Sequence, residues 1–168
     1  MNAYNNTISS NTRLTTLAIL VSMAVVLHWV EGFIPSPAPF LRLGLANILT
    51  ICAIYLFGGI WGIAVVAARV IIGSLLSGSI FTPAFFLSMA GGLCAGGVMW
   101  AMPKRLFSIT GVSVAGAAAH MTAQVVLASI IIQQAALTRL MPAFILVSMI
   151  TGIINGYAAK QVIRVIKT

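Results

Sequence analysis

From Leu14 to Ile163 the chain is a succession of apolar runs, and Glu31 is the only acidic side chain among its 168 residues. Runs of this kind dictate the fold class. A helix needs roughly 20 apolar residues to cross a hydrocarbon core about 30 Å thick, and only helices or closed barrels satisfy their backbone there. Hydrophobic residues make up 61% of the chain and charged residues 6%, against roughly 25% charged in a soluble domain. A soluble enzyme and a disordered chain are both excluded. The expectation is an all-α polytopic membrane protein, a six-transmembrane-helix bundle with both termini cytoplasmic.

Residues 1–12 are polar and read as a flexible cytoplasmic leader, with residues 13–168 forming a single membrane domain. The first run, Leu14 to Phe33, is longer than a signal-peptide core of roughly 7–15 residues and reads as a retained span. Alternate prolines in Pro35-Ser36-Pro37-Ala38-Pro39 remove donors and force extended backbone, so a stiff loop follows. Span two runs from Phe40 or Gly44 to Phe57, and Gly58-Gly59 separates it from span three, Ile60 to Gly78. Span four is Ile80 to Met102, closed by Pro103-Lys104-Arg105. Spans five and six cover Ile109 to Ile132 and Met141 to Ile163.

Nine Lys and Arg give a formal net charge of +8, which could suggest nucleic acid. They are scattered at span ends instead of forming a patch, so no nucleic-acid partner is expected and the charges record topology. With the N-terminus inside, Arg13, Lys104, Arg105, Lys160, Arg164 and Lys167 are cytoplasmic, Arg42 and Arg139 are external, and Arg69 lies within span three. That is the positive-inside bias. Cys52 and Cys94 sit in separate apolar segments without metal-ligand spacing.

Lipid offers no hydrophobic reward for helix association, so packing relies on small residues four apart that let backbones approach. Such pairs occur at Ala18/Ser22, Ala64/Ala68, Gly92/Gly96, Ala115/Ala119/Ala123 and Ser148/Gly152/Gly156. Ala18 and Ser22 differ in position: near the cytoplasmic end of span one, they could receive a partner membrane subunit.

Polarity inside lipid is costly, at least about 2.5–3.5 kcal/mol for a mid-bilayer charge, so Arg69 requires a partner, water or a ligand. His28 and Glu31 of span one, Asn47 of span two, Arg69 and Ser77 of span three, Thr82 of span four, and His120 and Gln124 of span five all map to the outer half or mid-depth. His120 and Gln124 share one helical face. One reading is interhelical hydrogen bonding. The other is an outward-facing pocket in which Arg69 and Arg42 hold an anionic or carbonyl group while Trp29, Phe85 and Phe86 hold an apolar body. Asn155 reads as a deeper packing residue, and Trp61 and Trp100 as interfacial anchors.

The chain has no phosphate-binding Gly-Lys-Ser/Thr loop, no acid pair to hold Mg²⁺, and no nucleophile triad that one acid could complete. It is read as a non-enzyme with no cofactor or metal of its own.

The residues Pro35-Ser36-Pro37-Ala38-Pro39 with Leu41-Arg42-Leu43-Gly44-Leu45-Ala46-Asn47-Ile48, then Arg69 to Gly78, Thr82-Pro83-Ala84-Phe85 and Ser88-Met89-Ala90-Gly91-Gly92, resemble the Gx transporter family, also labelled heptaprenyl diphosphate synthase component I. The resemblance covers nearly everything after residue 13. It implies similarity to the substrate-binding S components of energy-coupling-factor importers in a bacterial cytoplasmic membrane: six helices, an external pocket, a capping first loop, and a small-residue motif that docks a coupling subunit driven by two ATPases. Ala18 and Ser22 stand where an Ala-xxx-Ala would. A vitamin-like, anionic or amphiphilic solute is implied, with a flavin as one ligand and a quinone or isoprenoid precursor as another. The synthase label conflicts with chemistry, because prenyl elongation needs aspartate-rich Mg²⁺ motifs and the chain contains no Asp. What survives of it is an accessory subunit of a prenyl or quinone pathway enzyme; a subunit of a redox complex is a further alternative.

Overall fold

The computed structural model describes residues 10–33, 42 and 44–167. The leader to residue 9, the Pro35 to Pro39 stretch and the Phe40 start of span two lie outside the described residues. Among the described residues all regular structure is helical: α1 (Ser10–Glu31), α2 (Asn47–Leu56), α3 (Gly59–Leu76), α4 (Pro83–Ala101), α5 (Ile109–Ile132), a 3₁₀ segment (Ala135–Leu140) and α6 (Met141–Lys167).

Local chemistry sets several boundaries. Gly58, at φ +107°, turns the chain between α2 and α3. Pro83 opens α4, where the missing N–H costs nothing. The Ser108 hydroxyl accepts the Gly111 amide at 3.1 Å and caps α5. Five helices are long and apolar enough to span a membrane.

The sixth, α2, departs from the expected full crossing. Its ten residues rise only about 15 Å, half of a hydrocarbon core. The physical reason lies in its surroundings. α2 packs against all five long helices and buries eight of its residues, from Asn47 through Leu56. A short helix with irregular backbone before it is tolerated at membrane depth only when enclosed by protein, and α2 is enclosed on every side.

Around this hub α3 lies between α1 and α4, and α5 between α4 and α6. Glycines set the spacing. A Cβ on Gly152 would stand 2.8 Å from Val114 Cα, and one on Gly156 2.6 Å from Thr110 Cα. The Ser148/Gly152/Gly156 stripe therefore brings the α6 backbone against that of α5. Gly92 and Gly96 accept Val66 and Ile63 in the same way. Ala64 instead faces outward, as do Ala18 and Ser22.

One end of the bundle is basic. The Arg13 guanidinium lies 5.9 Å from the Phe57 ring centroid. Lys104 Nζ donates to Ile54 O at 2.8 Å and sits 4.8 Å from the Tyr55 ring centroid. An ammonium on the last carbonyls of α2 complements the helix dipole there. Partial burial, and next the charge of Lys167, lower the Lys104 pKa. These contacts put the start of α1, the end of α2, the α4–α5 connection and the end of α6 together, as alternating helices require.

Candidate functional site

The polar residues of separate helices converge where the chain descends from Gly44 to the start of α2 at Asn47. Gly44, at φ +79°, bends that descent into Asn47. A side chain there would stand 2.8 Å from Asn47 Nδ2 and 3.2 Å from His120 Cδ2, so only glycine fits both the conformation and the space.

Irregular backbone at this depth exposes amides and carbonyls that lipid cannot satisfy. Side chains of the long helices meet them. Glu31 at the end of α1 accepts the Gly44 amide and, at 3.1 Å, the Leu45 amide. Gln124 Oε1 of α5 accepts the Arg42 amide at 3.2 Å. Asn155 Nδ2 of α6 donates to Gly44 O at 3.1 Å. Arg42 in turn places Nη1 2.8 Å from His28 Nε2 and 3.0 Å from His28 O. That contact makes His28 a neutral acceptor.

Below the descent lies Arg69 of α3, 2% exposed and the largest fully buried side chain. Its Nη2 donates to Asn47 Oδ1 at 2.6 Å. The hydrogen bonds to Glu31 come from the backbone amides of Gly44 and Leu45. Glu31 thus serves as acceptor for the loop.

Of the residues singled out in the sequence, His28, Glu31, Arg42, Asn47, Arg69, His120 and Gln124 come together. Ser77 and Thr82 stand apart. Ser77 is exposed, with its hydroxyl on Gly73 O and Ser79 Oγ, and Thr82 bonds Ser79 O beside the α4 terminus. Asn155, read as a deeper packing residue, belongs to the cluster. A residue count could have found it: His120 follows the start of α5 by eleven residues and Asn155 precedes the end of α6 by twelve, so both lie at one depth.

The cluster is polar beyond its own needs. Among the described residues, Arg69 Nε, Asn47 Nδ2, both ring nitrogens of His120, Gln124 Nε2 and Asn155 Oδ1 are buried without a hydrogen-bond partner. Backbone of Gly91 and Arg42 lies beside the His120 ring without reaching hydrogen-bond geometry. More than nine in ten buried polar groups are ordinarily paired, so six unpaired atoms in one cluster depart from the usual pattern.

Two cavities adjoin the outer end. One, of about 360 Å³, is lined by Trp29, Gly32, Phe33, Arg42, Ser77, Ser79 and Ala84. The other, also about 360 Å³, lies between α4 and α5 and is lined by apolar groups from Ala84 to Ile132. Trp29 thus joins the outer chamber, whereas Phe85 and Phe86 stack edge to face at 5.3 Å beside it. No group of three or more His, Cys, Asp or Glu among the described residues could hold a metal ion.

No curated protein and no solved structure matches the chain. A family model does, over residues 20–162, and its description is heptaprenyl diphosphate synthase component I. That stretch contains the cluster, the whole of α2 to α5, just over half of α1 and most of α6, so the chain belongs to the heptaprenyl diphosphate synthase component I family of membrane proteins.

Proposed function

We propose that this protein is the solute-binding membrane component of an energy-coupled importer, capturing a small anionic or amphiphilic solute from the outer side of a bacterial cytoplasmic membrane. The observation that carries the reading is the set of six unpaired buried polar atoms around Arg69 and His120. Structural hydrogen bonding accounts for Glu31, Gln124 Oε1 and Asn155 Nδ2, which hold the loop backbone. It does not account for the donors and acceptors left over. The excess of Arg42 and Arg69 over Glu31 favours a negatively charged group on the guest, and a flavin or flavin nucleotide is one such ligand. The basic end of the bundle faces the cytoplasm on the positive-inside argument.

Import would need partners, since the chain has no nucleotide-binding loop. The exposed Ala18 and Ser22 of α1 would receive a coupling subunit that carries two ATPases. The test is affinity purification of the tagged protein from its native membrane. Recovery of a coupling subunit and ATPases, lost in Ala18→Leu and Ser22→Leu, is the expected result. Recovery of a soluble synthase with acid-rich motifs would instead favour the second reading, an accessory prenyl-pathway subunit, which the family description supports.

A further inference from the structure

The two cavities at the outer end are neighbours of unlike character. The first has a guanidinium in its wall, flanked by the Ser77 and Ser79 hydroxyls. The second is apolar almost throughout: Leu87 of α4 faces Ala128, Ile131 and Ile132 of α5 beneath Thr82. Ala84 lines both. One small side chain is therefore the shared wall between a charged chamber and a greasy cleft.

We infer that the solute is an anionic amphiphile, its charged head held at Arg42 and its aliphatic tail lying past Ala84 in the cleft between α4 and α5. This rests on the solute-binding reading and narrows it to a substrate class, with the guest seated beside Arg42 in cavities whose lining includes none of Arg69, Asn47, His120, Gln124 and Asn155. Charge complementarity selects the head. Among the described residues Arg42 hydrogen-bonds to His28 through Nη1, and its Nη2 lies near Gly32, which also lines the chamber. Shape selects the tail. Each cavity is within the range of small-molecule sites, roughly 300–1,000 Å³, and an apolar slot next to a cationic chamber suits a guest with one end of each kind. A compact polar anion would leave the cleft empty, and a neutral hydrocarbon would make no use of Arg42 or of the Ser77 and Ser79 hydroxyls in the chamber wall. The same chemistry describes a free amphiphile and an anionic bilayer lipid, and the test separates them.

The protein is placed in phosphatidylcholine nanodiscs and titrated with inorganic phosphate and with ethyl, butyl and hexyl phosphate, all referred to free aqueous concentration. Burial of a methylene is worth about threefold to fourfold in affinity; hexyl phosphate has four more than ethyl phosphate, and with only two of them buried it is expected to bind about tenfold tighter. Hexanol is expected to bind weakly, and Arg42→Gln to remove the preference for phosphate over alcohol. Ile131→Trp and Ala128→Phe, two independent ways of filling the cleft, should abolish the chain-length gain and leave ethyl phosphate binding in place. Equal affinities across the series, or a gain that survives both fillers, would overturn the inference. Competition by phosphatidylglycerol in the nanodisc would support it with a bilayer lipid as the source, and absence of competition would support it with a free solute. If Arg69→Ala removes a copurified solute while the cleft variants change nothing, the amphiphile assignment fails and the solute-binding reading stands.

Discussion

Substituting Gly44 tests the descent of the chain into the bundle, because its two costs can be separated. At φ +79° an alanine carries a left-handed backbone penalty of about 1–2 kcal/mol. Its Cβ would also stand 2.8 Å from Asn47 Nδ2 and 3.2 Å from His120 Cδ2, and so displace the residue that holds Arg69 at 2.6 Å. Losing a hydrogen bond to a charged group costs about 1.5–3 kcal/mol. Gly78 provides the control. It has φ +64° and nothing within 4 Å of a built Cβ, so Gly78→Ala pays the backbone penalty alone. Gly44→Ala should therefore cost about 2.5–5 kcal/mol and Gly78→Ala about 1–2 kcal/mol. The assay is reversible SDS unfolding of the purified protein in mixed micelles, followed by tryptophan fluorescence. Equal losses for the two variants would refute the packing of Gly44 against Asn47 and His120.

Glu31→Gln keeps an acceptor for the Gly44 and Leu45 amides, whereas Glu31→Ala removes it; the alanine should lose about 2–4 kcal/mol more in the same assay, from one buried and one partly buried amide left unpaired. Gly152→Val should push α6 off Val114 and Ala117 and abolish or severely weaken folding, while Gly97→Ala, with open space at its Cβ, should stay within about 1 kcal/mol of the native protein. Lys104→Met should lose the bond to Ile54 O and the contact with the Tyr55 ring, costing about 1–2 kcal/mol. Since burial and Lys167 lower the Lys104 pKa in the folded state, its charged form is held less well than in the unfolded chain. Any stability this group adds therefore grows as pH rises through its lowered pKa, and a stability–pH profile should flatten above neutrality in Lys104→Met.

The long helices were legible because apolar runs and punctuation by Gly58-Gly59, Pro83 and Pro103-Lys104-Arg105 depend on local chemistry that lipid enforces. His28, Glu31, Asn47, Arg69, His120 and Gln124, which the structure brings together, stood out for the same reason, since polarity is rare in such a chain. The half-length of α2 was not legible. Residues from Gly44 to Phe57 are as apolar as a span, and what shortens the helix is the glycine bend at Gly44 together with enclosure by five neighbours. Asn155 was misplaced because its partner, the Gly44 carbonyl, is backbone and leaves no trace in side-chain patterns. Ser77 and Thr82 suit the right depth in sequence, yet each turns to nearby groups at the α3–α4 connection.

The central claim is that the unpaired polar atoms around Arg69 and His120 await a guest. The most direct measurement is native mass spectrometry of the protein extracted gently from its own membrane, beside folded Arg69→Ala protein. A small anionic molecule bound near one to one in the first and missing from the second is the predicted result. Identical spectra without any adduct, even after exposure to a cell metabolite extract, would contradict it and leave the cluster as the scaffold of the loop alone.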